Sequence, residues 1–286
     1  MNDFNDNYYE SSDGLQLFYR DYQSVDGGAR APVICLPGLT RNSLDFNDLA
    51  LLLSRQRRVI TPDLRGRGRS EYGPDRNHYN PAQYVVDIWR LLDQLDISEV
   101  VVIGTSLGGL MAMRMAYERP AAISAAVIND IGPEIDPVGI ERVIGAAGTS
   151  PVVASWEDAV ANVKKLYSHA YPNWSESNWR EHTRKTYVRV DDGRFDIRLD
   201  RDVGIAAREG VSGLNHDPWQ LFDALRPIPL LVIRGEISDI FSADTLQEMK
   251  RHKPNLTAVV VKNRGHAPNL DEPEAIDAIE KFLENN

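Results

Sequence analysis

The amino-acid sequence predicts an α/β protein: a doubly wound, mostly parallel sheet interrupted by a mainly helical insertion. Three observations carry that prediction. Short, wholly apolar runs recur along the chain, each closed by turn residues. Helical patterns fill the intervals between them. From about residue 132 to residue 226 the rhythm stops, and it resumes beyond. Strands alternating with helices at this spacing build βαβ units.

The elements follow in order. Val33-Ile34-Cys35-Leu36 ends at Pro37-Gly38, and Arg58-Val59-Ile60-Thr61 ends at Pro62-Asp63. Val100-Val101-Val102-Ile103 ends at Gly104, and Ala126-Val127-Ile128 ends at Asn129-Asp130. Leu230-Leu231-Val232-Ile233 and Ala258-Val259-Val260-Val261 complete the set. Runs without alternation fit strands covered on both faces. Between them, Ser43 to Gln56 and Leu107 to Tyr117 read as helices. A third opens at Asn80-Pro81, with asparagine as cap and proline in the first turn, and carries Tyr84, Val85, Ile88, Leu91, Leu92 and Leu95 on one face. A last helix runs from about Pro273 to Leu283. These spans divide the chain into a core of residues 1–131 and 227–286 and an inserted helical cap of residues 132–226. The insertion holds Trp156, Trp174, Trp179 and Trp219, which either pack a small core of its own or face a pocket between insertion and sheet.

Composition narrows the function classes. The chain has 286 residues, 42% hydrophobic and 26% charged, enough apolar material for a sizeable core. Thirty-two basic residues against 42 acidic ones give a net charge of −10, which disfavours nucleic acid as a partner. The single cysteine, Cys35, excludes an intrachain disulfide and a thiolate metal cluster, and it sits in a predicted core strand. The N-terminal residues do not resemble a signal peptide, and no apolar stretch reaches the length of a membrane helix. The expectation is a cytoplasmic protein with no metal and no cofactor, acting on a small molecule as a monomer or homo-oligomer. Arg65, Arg67 and Arg69 alternate with glycine after the second apolar run; they are expected to be solvated or paired with acids rather than to bind phosphate.

One constellation carries chemistry. The run ending at Ile103 enters Gly104-Thr105-Ser106-Leu107-Gly108 and then a helix. A serine on so sharp a strand-to-helix turn projects its hydroxyl above the strand ends, and glycines on either side leave room for the bend. Such a serine needs a base. His266 follows the last predicted strand, where sites form in sheets of this kind. His78, His169, His182, His216 and His252 read as surface or packing residues. The base in turn needs an orienting carboxylate. Asp239, after the run ending at Ile233, is the expected acid; Asp130 is the alternative and Glu236 the third candidate.

The order Ser106, Asp239, His266 resembles that of the α/β-hydrolase superfamily, and other stretches extend the likeness from about residue 14 to the end. Leu36-Pro37-Gly38-Leu39 resembles the oxyanion-hole loop. Asp63-Leu64-Arg65-Gly66-Arg67-Gly68-Arg69-Ser70 and Gly265-His266-Ala267-Pro268 resemble two further family motifs. Two departures stand out. Pro37 replaces a frequent histidine, and Ser238 stands where the acid commonly stands, with Asp239 one residue later. The resemblance implies an α/β-hydrolase fold and an oxyanion hole formed by the backbone N–H groups of Leu39 and Leu107. It further implies a serine nucleophile rather than the aspartate of epoxide hydrolases and dehalogenases. Three functions stay open: a hydrolase of a small ester, lactone or thioester; a carbon–carbon bond hydrolase acting on a vinylogous diketone; and a non-enzymatic sensor of a small molecule.

Overall fold

A computed structural model describes residues 4–27, 30–210 and 216–286. Its strands are β1 (Asn5–Glu10), β2 (Gln16–Tyr22), β3 (Val33–Leu36), β4 (Val59–Pro62), β5 (Val100–Thr105), β6 (Ile123–Asn129), β7 (Tyr187–Arg189), β8 (Phe195–Ile197), β9 (Leu230–Gly235) and β10 (Thr257–Val261). The helices are α1 (Asn47–Leu53), α2 (Pro81–Gln94), α3 (Leu107–Glu118), α4 (Pro137–Ala146), α5 (Trp156–Tyr167), α6 (Glu176–Thr186), α7 (Arg201–Arg208), α8 (Pro218–Asp223), α9 (Ala243–His252) and α10 (Pro273–Glu284).

Eight strands form one sheet in the order β1-β2-β4-β3-β5-β6-β9-β10. All neighbours from β4 to β10 run parallel, and β1 and β2 are antiparallel additions at one edge. The six expected strands are all present. Their continuous apolar runs have a simple cause, because successive side chains enter opposite cores. Val100 and Val102 of β5 join the cluster packed with α2 and α3, whereas Val101 and Ile103 join the one packed with α1 and α10. Ile34 and Leu36 of β3 divide from Val33 and Cys35 in the same way. Cys35 is fully buried, and burial pushes its thiol far above the ordinary range, so it behaves as a small apolar side chain.

The antiparallel pair was not expected, and its sequence explains why. β1 is polar and mostly exposed, and β2 interrupts its apolar residues with Arg20 and Asp21. Asp21 accepts two hydrogen bonds from Arg58, which starts the chain into β4. Between β6 and β9 lie α4 to α8 and the two-stranded sheet of β7 and β8. This stretch does not pack as one unit. Residues of α5, α6 and β7 form their own cluster with Tyr171 and Trp179, while Val203 of α7 and Phe222 of α8 join the main core. No helix among the described residues is long and apolar enough to cross a membrane.

Candidate active site

β5 delivers Ser106 at the sheet's carboxyl edge. The turn into α3 holds Ser106 at φ 53°, ψ −114°, a conformation unfavourable for a residue with a side chain and tolerated where function fixes it. The packing leaves no alternative to glycine at 108: a Cβ there would lie 2.0 Å from the Leu36 carbonyl oxygen. That close approach seats the start of α3 against the end of β3, beside the loop that carries Leu39. The N–H groups of Leu39 and Leu107 have no acceptor among the described residues; Leu107 follows the serine, and Leu39 lines the same cavity as Ser106.

His266 lies beyond β10. Its Nε2 is 2.8 Å from Ser106 Oγ, and its Nδ1 is 2.9 Å from Asp130 Oδ2. A carboxylate only accepts, so Nδ1 carries the proton and Nε2 is left to accept from the serine hydroxyl. Asp130 directly follows β6, is fully buried and adopts φ 55°. Its Oδ1 accepts the Gly235 N–H at 2.7 Å and its Oδ2 accepts the Ser238 hydroxyl at 2.7 Å.

Asp239, the expected acid, does not meet His266. Its carboxylate takes a bidentate grip from Arg142 of α4, at 2.8 Å from Nε and 2.9 Å from Nη2. Partial burial pushes the Asp239 carboxyl upward, but the hydrogen bonding and charge of Arg142 outweigh it and hold the group below the usual carboxylate range. The correction has a geometric cause. Asp130 N–H bonds to Ile233 O, which draws the turn after β6 across to the end of β9, and there Ser238 rather than Asp239 meets the Asp130 carboxylate that holds His266. Glu236, the third candidate, is exposed and accepts the Asn263 N–H.

Several supporting residues have no local sequence signal. Asn129 Nδ2 donates to Pro268 O at 2.8 Å and Glu272 accepts the N–H groups of Asn269 and Leu270, so the histidine loop is tied on both sides. The insertion grips the same loop: Gly265 N–H donates to Ala170 O at 2.7 Å and Tyr171 Oη donates to Ala267 O at 2.6 Å. Arg65 and Arg69 are paired with acids as expected, Arg65 with Asp87 and Asp13, Arg69 with Asp6. Arg67 departs from that expectation. It is fully buried, and its guanidinium donates to Leu39 O, Arg65 O and Tyr84 Oη, bracing the loop opposite the serine.

Ser106 and His266 open into a cavity of about 200 Å³ between sheet and insertion. Leu39, Tyr171, Trp174 and His182 contribute to its wall. Trp174 stacks on Tyr171 at 3.8 Å between ring centroids. Three of the four tryptophans divide between the two expected roles, and Trp219 takes neither, packing against the main core. Trp174 faces the cavity, Trp179 is buried in the insertion's own cluster, Trp156 packs on Phe195, and Trp219 stacks on His252 of α9. His182 is buried in this aromatic wall; desolvation, reinforced by the charges of Arg41 and Lys185, drives its pKa well below the ordinary histidine value. No group of three histidine, cysteine or acidic side chains that could hold a metal occurs among the described residues.

Comparison with known proteins matches this architecture to a family. A family model for the alpha/beta hydrolase fold matches residues 31–273. The chain belongs to the α/β-hydrolase family. The 3-hydroxybutyrate-oligomer hydrolase of Cupriavidus necator is 30% identical, over 88% of this chain and 87% of the relative. The sn-1-specific diacylglycerol lipase ABHD11 of Mus musculus is 28% identical over 92% of this chain and 84% of the relative. The 2-(acetamidomethylene)succinate hydrolase of Mesorhizobium japonicum is 29% identical over 86% of each. Among solved structures, an alpha/beta hydrolase from Novosphingobium aromaticivorans superposes with a TM-score of 0.93 at 42% identity, covering all of both chains. With hydrolases as its relatives, this chain is an enzyme of the α/β-hydrolase family.

Proposed function

We propose that this enzyme is a serine hydrolase that cleaves a small carboxylic ester, lactone or thioester through an acyl-enzyme. One observation carries the reading: an unbroken hydrogen-bond chain from Ser106 Oγ through His266 to the buried Asp130, opening into the cavity under the insertion. Ser106 is the nucleophile. His266 Nε2 takes its proton as Oγ attacks the carbonyl carbon, and Asp130 holds the imidazole in the required tautomer and stabilises its charged form. The N–H groups of Leu39 and Leu107 receive the oxyanion, an interaction worth about 3–4 kcal/mol per donor in comparable enzymes. His266 returns the proton to the leaving group, and a water molecule, activated by the same imidazole, releases the acid. Residues 132–226 act as the cap that sets specificity, and the aromatic wall suits a substrate with an apolar or aromatic part. Two of the relatives act on a 3-hydroxybutyrate oligomer and a diacylglycerol, both carboxylic esters, which favours ester cleavage over carbon–carbon cleavage.

A fluorophosphonate probe tests the nucleophile. It is expected to label the wild type and not Ser106→Ala; equal labelling of both overturns the reading. Turnover of a graded series of acyl esters, set against a panel of vinylogous diketones, then separates ester from carbon–carbon hydrolysis. Ligand-dependent recruitment of another protein with negligible turnover of either series would point to a sensor instead.

A further inference from the structure

We propose that Ser238 is a positioning residue for the acid. The inference rests on the reading of Ser106, His266 and Asp130 as a working triad. Its ground is the way the Ser238 hydroxyl is committed. Its oxygen accepts the Phe241 N–H at 3.1 Å and the Ile240 N–H at 3.3 Å, so both of its acceptor sites face the backbone. Its single proton is left for Asp130 Oδ2, at 2.7 Å. That oxygen is the one His266 Nδ1 meets at 2.9 Å. The other carboxylate oxygen is held by Gly235 N–H, the residue that closes β9.

The carboxylate is thus fixed by two donors from the β9 end, and the third donor is the catalytic imidazole. Removing Ser238's proton frees the carboxylate to rotate about its Cβ–Cγ bond and loosens the oxygen that orients His266. A hydrogen bond to a charged acceptor is among the stronger ones in a protein, and its loss is felt directly where it sets an angle.

The test follows inactivation of the protein by a fluorophosphonate, resolving kinact from KI. Ser238→Ala is expected to lower kinact by about tenfold with KI unchanged, and Ser238→Thr to restore it. Thermal unfolding of each variant reports its folding. A wild-type kinact in Ser238→Ala, or a parallel change in kinact and KI that threonine does not restore, overturns the positioning role. Ser106→Ala, run alongside, separates the two levels: if it is still modified at the wild-type rate, the triad itself is wrong. If it is inert while Ser238→Ala matches the wild type, only the present inference falls.

Discussion

The ends of β6 and β9 each present an aspartate to the same edge of the sheet, and the two have opposite fates. Asp130 is fully buried, carries three hydrogen bonds and touches the imidazole. Asp239, one residue beyond the serine that donates to Asp130, is partly exposed and spends its carboxylate on Arg142 of the insertion. Residue type and chain order are the same for both as candidates. The outcome is decided by where the backbone aims each side chain and by which other groups have already claimed it.

Four substitutions break or sharpen this contrast, from the largest effect to the smallest. Asp130→Asn leaves the shape but offers His266 the wrong partner, and kcat is expected to fall about 10⁴-fold, as in other triads. Steady-state turnover of a reactive ester measures this, and a fall of less than tenfold would reverse the assignment. Gly235→Ala probes the contact between the two strand ends. A Cβ there would lie 2.4 Å from the Arg264 carbonyl oxygen, on the loop leading to His266. The expected result is a loss of about 3 kcal/mol in chemical denaturation together with lower kcat. Wild-type stability would mean that the β9 end and the histidine loop can slide apart freely.

Acidification separates the two groups at the insertion's seat. His182 has a depressed pKa in the folded state, so the unfolded chain binds its proton first. Its contribution to stability is whole above about pH 6.5 and is lost as pH falls below that value. The Asp239 carboxyl is also depressed, so the contribution of its pair with Arg142 is whole above about pH 4 and declines only on further acidification. Between pH 7.5 and 5.5 the melting temperature is therefore expected to drop through His182, and His182→Phe to flatten that drop; an unchanged slope in the variant contradicts the assignment. Asp239→Asn comes last. It should cost about 0.2–1 kcal/mol, because the pair is partly solvated, and change kcat less than threefold. A large loss of kcat there would return Asp239 to the catalytic array.

What could be read in the chain follows from which interactions are local. Six strands were legible because a strand buried on both faces leaves an uninterrupted apolar run, as Val100–Ile103 does. β1 and β2 were not, since one-sided burial mixes Arg20 and Asp21 into the pattern, and β7 and β8 are only three residues each. Ser106 announces itself through the glycines its turn requires, and His266 through its place after the last strand. The acid gives no such signal. Whether residue 130 or 239 meets the imidazole depends on the register of β6 against β9, with Asn129 beside Ile233, a relation between residues about a hundred positions apart. The hydrogen bonds of Arg67 to Leu39 and of Ser238 to Asp130 are equally non-local, since each reaches a segment far from it in sequence.

The grip of the insertion on the histidine loop, through Ala170 and Tyr171, bears on how the enzyme fails when heated. A region with its own small apolar cluster can loosen before the doubly covered sheet does. Once those two bonds let go, His266 loses part of its anchorage while Ser106 and Asp130 stay seated on their strands. Thermal inactivation would then precede melting and reverse on cooling, with the onset set by the insertion and the final collapse by the sheet.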